Sequence, residues 1–176
     1  MEYFIVPYLL WFVYVAAVFL YLFFKGTKQE FYRYCAFLFT GMTLFLVIST
    51  LYPNGHLLRP TEFPRHNIFT FAVQILYQAD TPTNIFPSIH VFNSIAAHRA
   101  LVNNPRLGRN RLIRGGSFVL MVSIILATMF LKQHSALDLI LAVPFSLVVY
   151  PVVYRLIFRR SGVESPVRRS ASEPAT

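Results

Sequence analysis

A chain of 176 residues of which 56% are hydrophobic and only 13% charged has too little polar surface for a water-soluble domain of its size, so an integral membrane protein is expected. The formal charge of +9, from 16 Lys and Arg against 7 Asp and Glu, reads as a topology signal that also favours anionic membrane lipid, and no nucleic-acid partner is assigned. The single cysteine, Cys35, excludes an internal disulfide framework.

In chain order, the run 4–24 carries no charge and the run 34–52 follows it, each near the ~20 apolar residues needed to cross a ~30 Å hydrocarbon core. Met1-Glu2 supplies no basic leader and no small-residue cleavage site precedes Lys25, so the first run is expected to be a retained span. The apolar stretch 67–79 is too short to cross and reads as an interfacial or re-entrant helix. Three further spans are expected over 86–102, 116–131 and 137–158, the last containing Pro144 and Pro151, which membrane helices tolerate. The expected fold class is therefore all-α integral membrane, with about five transmembrane helices plus one short interfacial or re-entrant helix. Residues 1–158 would form a single membrane-embedded catalytic domain and 159–176 a basic, disordered cytoplasmic tail.

The cations orient this arrangement. Lys25, Lys28 and Arg33 lie between the first two runs; Arg99, Arg106, Arg109, Arg111 and Arg114 follow the third; Arg155, Arg159, Arg160, Arg168 and Arg169 close the chain. By the positive-inside rule all of these face the cytoplasm, leaving only Arg59, Arg65 and Lys132 on the other side. The loop 52–65, the segment Pro87-Ser88-Ile89-His90 and the link from Lys132 to Asp138 are then expected together on the non-cytoplasmic face.

Their side chains form a chemically coherent set. His134 and Asp138 are four apart and on a helix would share a face, where a carboxylate fixes the imidazole tautomer and stabilises its positive charge, as suits a nucleophile. His90, at the start of a helix, is a candidate general acid. Ser88 and the early N–H groups of that helix can bind phosphate oxygens, Arg59 offers a planar fork of donors, and Lys132 adds a compact charge. Each piece also has an ordinary role: Ser88 and Asp138 as helix caps, Arg59, Arg65 and Lys132 as snorkelling residues, and the His134–Asp138 pair as a structural hydrogen bond or proton relay. His56 and His66 lack compact ligand spacing, so neither a metal nor any other cofactor is assigned, and His98 reads as structural.

Arg59-Pro60, Pro87-Ser88-Ile89-His90 and Lys132-Gln133-His134-Ser135-Ala136-Leu137-Asp138 resemble, in order and spacing, the three motifs of the type 2 phosphatidic acid phosphatase superfamily of membrane lipid phosphatases and phosphotransferases. The resemblance covers about residues 52–140. It implies a phosphohistidine on His134 assisted by Asp138, leaving-group protonation by His90, and phosphoryl oxygens held by Arg59 and Ser88. Each of the three motifs departs from the family pattern. Tyr52 stands where the first motif opens with lysine, Ile89 where the second has glycine, and Ala127-Thr128 where the third has Ser-Arg. Lys132, with Arg65 as a second, is the candidate replacement for the missing cations. This looser pattern is also similar to the inositol phosphorylceramide and sphingomyelin synthase branch, which passes a phosphorylated headgroup to a lipid alcohol. The expected activity is cleavage of a lipid phosphate ester or pyrophosphate, with lipid phosphotransfer as the alternative. A non-catalytic lipid-binding protein and a proton-coupled transporter are the competing classes, and the oligomeric state is left open.

Overall fold

The computed structural model describes residues 2–53, 55, 58–60, 63, 65–80 and 87–158, with the backbone alone for 136–138, 141 and 154–158. Within them the chain is all-helical, with no strand. A 3-10 turn, Glu2–Phe4, leads into α1 (Ile5–Lys25), followed by α2 (Lys28–Leu51), α3 (Ile68–Ala79), α4 (Ile89–Asn103), α5 (Arg111–Phe130) and α6 (Ala136–Phe158). Three helices, α1 with its leading turn, α2 and α5, are long and apolar enough to cross a membrane. The expected 34–52 and 116–131 spans begin earlier as helices, at Lys28 and Arg111, because polar caps rather than apolarity set their ends. Thr27 and Glu30 form a reciprocal capping box ahead of α2, and Asn110 Oδ1 accepts from the N–H groups of Leu112 and Ile113 ahead of α5. The expected basic tail, 159–176, lies outside the described residues.

The short α4 is the axis of the bundle, packed against α1, α2, α5 and α6. Its residues 90–97 are all buried, so it shows no polar face, as befits a helix surrounded on every side. Phe92 stacks on Phe37 of α2, with ring centroids 4.4 Å apart, above Gly41. Along the α1–α4–α5 seam, Tyr8 and Trp11 meet His90 near one end, while Tyr14 and His98 both hydrogen-bond Ser117 further along. Helices α1 and α4 therefore run in the same direction and α5 runs against them.

The opposite end is tied by polar groups. Asn104 Nδ2 donates to Glu30 Oε1 at 2.9 Å, while Asn104 Oδ1 accepts from the N–H groups of Arg106 and Leu107 and turns the chain toward α5. Near the His90 end, α3 lies against the leading turn and α1. It buries Thr70 and Val73 and leaves Ile68, Phe71 and Ile75 exposed. A 12-residue helix with an apolar outer stripe has the dimensions of an interfacial element rather than a span.

Candidate active site

Pro87 precedes Ser88, whose extended backbone (φ −67°, ψ 113°) places its side chain as the N-cap of α4, where Oγ accepts from Val91 N–H at 3.4 Å. The same oxygen lies 3.0 Å from His134 Nε2, and both side chains are buried. A hydroxyl has one proton and two acceptor sites, so Ser88 can accept from Val91 while donating to an unprotonated Nε2. In that tautomer the imidazole proton sits on Nδ1 and the lone pair on Nε2.

His134 is held by its backbone. After α5 ends, Lys132 takes a left-handed conformation (φ 53°), and the Thr128 carbonyl accepts from both Gln133 N–H (2.9 Å) and His134 N–H (3.1 Å). This folds the chain back over the last turn of α5, as in helix C-caps built on a left-handed residue. Thr128, where the family resemblance would place arginine, is fully buried and gives its hydroxyl to Ile125 O at 2.8 Å. No cation occupies that position. Ile89, where the resemblance would place glycine, packs against the central apolar cluster.

One sequence expectation is corrected here. Helix α6 starts at Ala136, so His134 precedes it and the two residues do not share a face of one helix. Asp138 falls in the first turn of α6, where a carboxylate favours the helix dipole; its side chain lies outside the described residues.

His90 is packed between two rings of α1, with centroid separations of 4.9 Å to Tyr8 and 4.3 Å to Trp11, and its ring centroid is 6.0 Å from that of His134. Its Nδ1 is buried without a hydrogen-bond partner among the described residues. Ser88, His90 and His134 thus converge although they come from two separate stretches of sequence.

Arg59 reaches the same region by a different route. Its Nη2 donates to Gln133 Oε1 at 2.6 Å, its Nη1 donates to the carbonyls of Tyr77 and Asp80, and its guanidinium carbon stands 4.7 Å over the Tyr77 ring. The Asp80 carboxylate is 4.0 Å away. Burial pushes the Asp80 carboxyl above the usual carboxylate range, and the Arg59 guanidinium offsets part of that rise. Arg59 is therefore fixed beside the residue preceding His134, with its charge partly balanced.

Lys132 and Arg65 are placed elsewhere. Lys132 makes no side-chain hydrogen bond or ion pair among the described residues and lines an apolar groove together with Arg65, which is 3.7 Å from Glu2. Both side chains thus line a groove formed with the leading turn and α3. Tyr52 closes α2 with its side chain exposed. His56 lies outside the described residues, and no three His, Cys, Asp or Glu residues among those described cluster as a metal site.

Sequence reasoning did not single out Gln133, Tyr8, Trp11, Tyr77 or Asp80. Gln133 sits inside the third motif, yet a neutral amide carries no charge signal and its partner is 74 residues away. Compared with protein-family models, curated proteins and solved structures, the chain matches none.

Proposed function

We propose that this chain is an integral-membrane phosphoryl-transfer enzyme, similar to the type 2 phosphatidic acid phosphatases, that cleaves a lipid phosphate ester or pyrophosphate. The observation that carries the reading is the Ser88 Oγ to His134 Nε2 distance of 3.0 Å in a buried setting, with the His90 ring 6.0 Å from that of His134. A hydroxyl, a nucleophilic nitrogen and a second imidazole so placed are the parts needed to bind, attack and release a phosphoryl group.

In the first step His134 Nε2 bonds to phosphorus and the bond to the leaving oxygen breaks, while His90 gives that oxygen a proton. In the second step a water oxygen attacks phosphorus, His90 takes the water's proton, and the phosphorus–nitrogen bond breaks to restore His134. Ser88 O–H and the Arg59 guanidinium hold non-bridging oxygens, and Asp138 stabilises the charged imidazole. A lipid alcohol in place of water makes the same enzyme a phosphotransferase, since the first step is shared. The proposed topology has five spans, α4 and α6 joining the three longest, with α3 at the interface and the site on the non-cytoplasmic face. The charge distribution supports it.

The test is trapping of phosphoenzyme by an alkaline detergent quench, since a phosphorus–nitrogen bond survives base and is lost in acid, during turnover of a phosphorus-labelled phospholipid and polyprenyl-phosphate panel, scored for free phosphate and for new lipid product. Label should appear on wild-type histidine and vanish in His134→Ala together with turnover. Unchanged turnover in His134→Ala would sink the assignment, and the ratio of phosphate to new lipid separates hydrolase from transferase.

A further inference from the structure

A second site lies beside the first. The leading turn, Pro60, Phe63, Arg65, α3 and the end of α5 line a groove of about 410 Å³, within the ~300–1,000 Å³ range of small-molecule sites. Phe63, Val73, Phe130 and Leu131 make its surface apolar, while Glu2, Arg65 and Lys132 supply its charges. Two cations against one carboxylate leave the described rim with a net charge of +1. A volume at the lower end of that range suits a headgroup with one hydrocarbon chain rather than two.

We propose that this groove binds a single-chain amphiphile bearing one negative charge, with its head between Arg65 and Lys132 and its chain against Val73 and Leu131. The surroundings favour a lipid over a water-borne anion. One wall is α3, whose outer stripe of Ile68 (77% exposed), Phe71 (62%) and Ile75 (50%) is apolar, so the groove lies where hydrocarbon meets headgroups. Lys132 is well suited to the head, since its ammonium has no partner among the described residues and the rigid turn at φ 53° fixes its backbone. Arg65 is 73% exposed and lies 3.7 Å from Glu2, a contact a bound anion can share or replace. The groove is distinct from the Ser88–His134 pair but touches its support: Tyr77 lines the groove and also lies beneath the Arg59 guanidinium. This inference stands without the phosphohistidine reading, because binding needs no turnover.

The experiment titrates the full-length protein, in a non-ionic detergent, with a pyrene-labelled fatty acid and with its uncharged methyl ester. A carboxylate cannot be a phosphoryl donor, so the signal is independent of catalysis. The acid should bind saturably and at least tenfold more tightly than the ester. Lys132→Glu and Arg65→Glu should each weaken acid binding about tenfold, as loss of a close charge pair would, and leave ester binding unchanged. Glu2→Gln should tighten acid binding several-fold, and Val73→Trp should abolish binding of both probes. Ser88→Ala and His134→Ala should bind as the wild type does. The proposal is overturned by no saturable binding, by equal affinity for acid and ester, or by acid binding that survives both charge reversals. It is also overturned if binding is lost in Ser88→Ala but kept in Val73→Trp, which would move the ligand to the other site. Arg65 is 73% exposed, so Arg65→Glu is a surface change that decides the matter even if Val73→Trp fails to fold.

Discussion

Ser88 Oγ lies 3.0 Å from His134 Nε2 across 46 residues of chain, and the same oxygen caps α4 through Val91 N–H. One atom therefore has a structural task and, on the proposed mechanism, a chemical one, and two substitutions separate them. Ser88→Ala should cost about 1 kcal/mol of stability through the lost cap, whereas Ser88→Gly should cost only a few tenths. Both remove the hydroxyl, so on the proposed mechanism both should lower kcat by about 10²-fold, the usual loss for one donor to a transition-state oxyanion. Thermal unfolding and turnover measured on the same preparations check this: an activity loss that tracks stability between the two variants would leave Ser88 as a cap alone.

The Arg59–Asp80 pair should make anion binding at the proposed site pH-dependent. Ionised Asp80, 4.0 Å from Arg59, offsets the guanidinium charge. Its carboxyl is held above the ordinary carboxylate range by burial, so it takes up a proton earlier than a free carboxylate as pH falls. Protonation removes the negative charge beside Arg59 and should strengthen anion affinity toward acid. Asp80→Asn removes that charge at every pH. It should raise affinity several-fold at neutral pH and flatten the difference between neutral and mildly acid conditions. Inhibition by sulfate, whose own charge is constant over this range, provides the measurement, and identical pH profiles for wild type and variant would refute it.

How much of this was legible in the sequence depended on what each residue signals. The charge-free run 4–24 located α1 because apolarity over that length has few other uses. The starts of α2 and α5 were missed because Thr27, Glu30 and Asn110 set them through hydrogen bonds, which a hydropathy window averages away. The motif histidines and Ser88 stood out as polar residues in apolar surroundings. The placing of Lys132 did not, since its left-handed backbone and its part in lining the groove have no signal in the linear sequence. Gln133 and Asp80 acquire meaning only through Arg59, and neither spacing nor charge in the linear sequence joins them.

Gly41 is a packing requirement between α2 and α4. A Cβ built there would overlap the ring of Phe92, which is itself stacked on Phe37 at 4.4 Å and 22°. Alanine normally gains about 1 kcal/mol over glycine within a helix, but overpacking a dense core costs about 1–3 kcal/mol, and here the clash is with a ring wedged against another ring. Gly41→Ala should therefore destabilise the bundle. In a Phe92→Leu background, where the ring is gone, the same change should be neutral or stabilising. Unfolding in mixed micelles for the four members of this cycle tests the coupling, and a cost of Gly41→Ala that is unchanged by Phe92→Leu would place the strain elsewhere.

Ser117 joins three helices with one hydroxyl. Tyr14 OH lies 2.6 Å and His98 Nδ1 2.9 Å from its Oγ, so with one proton to give, the order that satisfies both contacts runs Tyr14 O–H to Ser117 Oγ and Ser117 O–H to His98 Nδ1. Interhelical hydrogen bonds in membrane proteins average about 0.6 kcal/mol and reach about 1.7 kcal/mol. Tyr14→Phe, which removes the first bond and leaves the second, should cost about 0.6 kcal/mol. Ser117→Ala removes both and strands the buried Tyr14 hydroxyl, so it should cost about 1–2 kcal/mol. Because the Tyr14 hydroxyl has lost its partner in Ser117→Ala, adding Tyr14→Phe to that variant should cost nothing or recover part of the loss. His98 lies eight residues beyond His90 on α4, a rise of about 12 Å at 1.5 Å per residue. Turnover at a temperature where the variants remain folded should thus equal that of wild type. A fall in kcat in Ser117→Ala without loss of stability would contradict this purely structural role and tie the polar seam to catalysis.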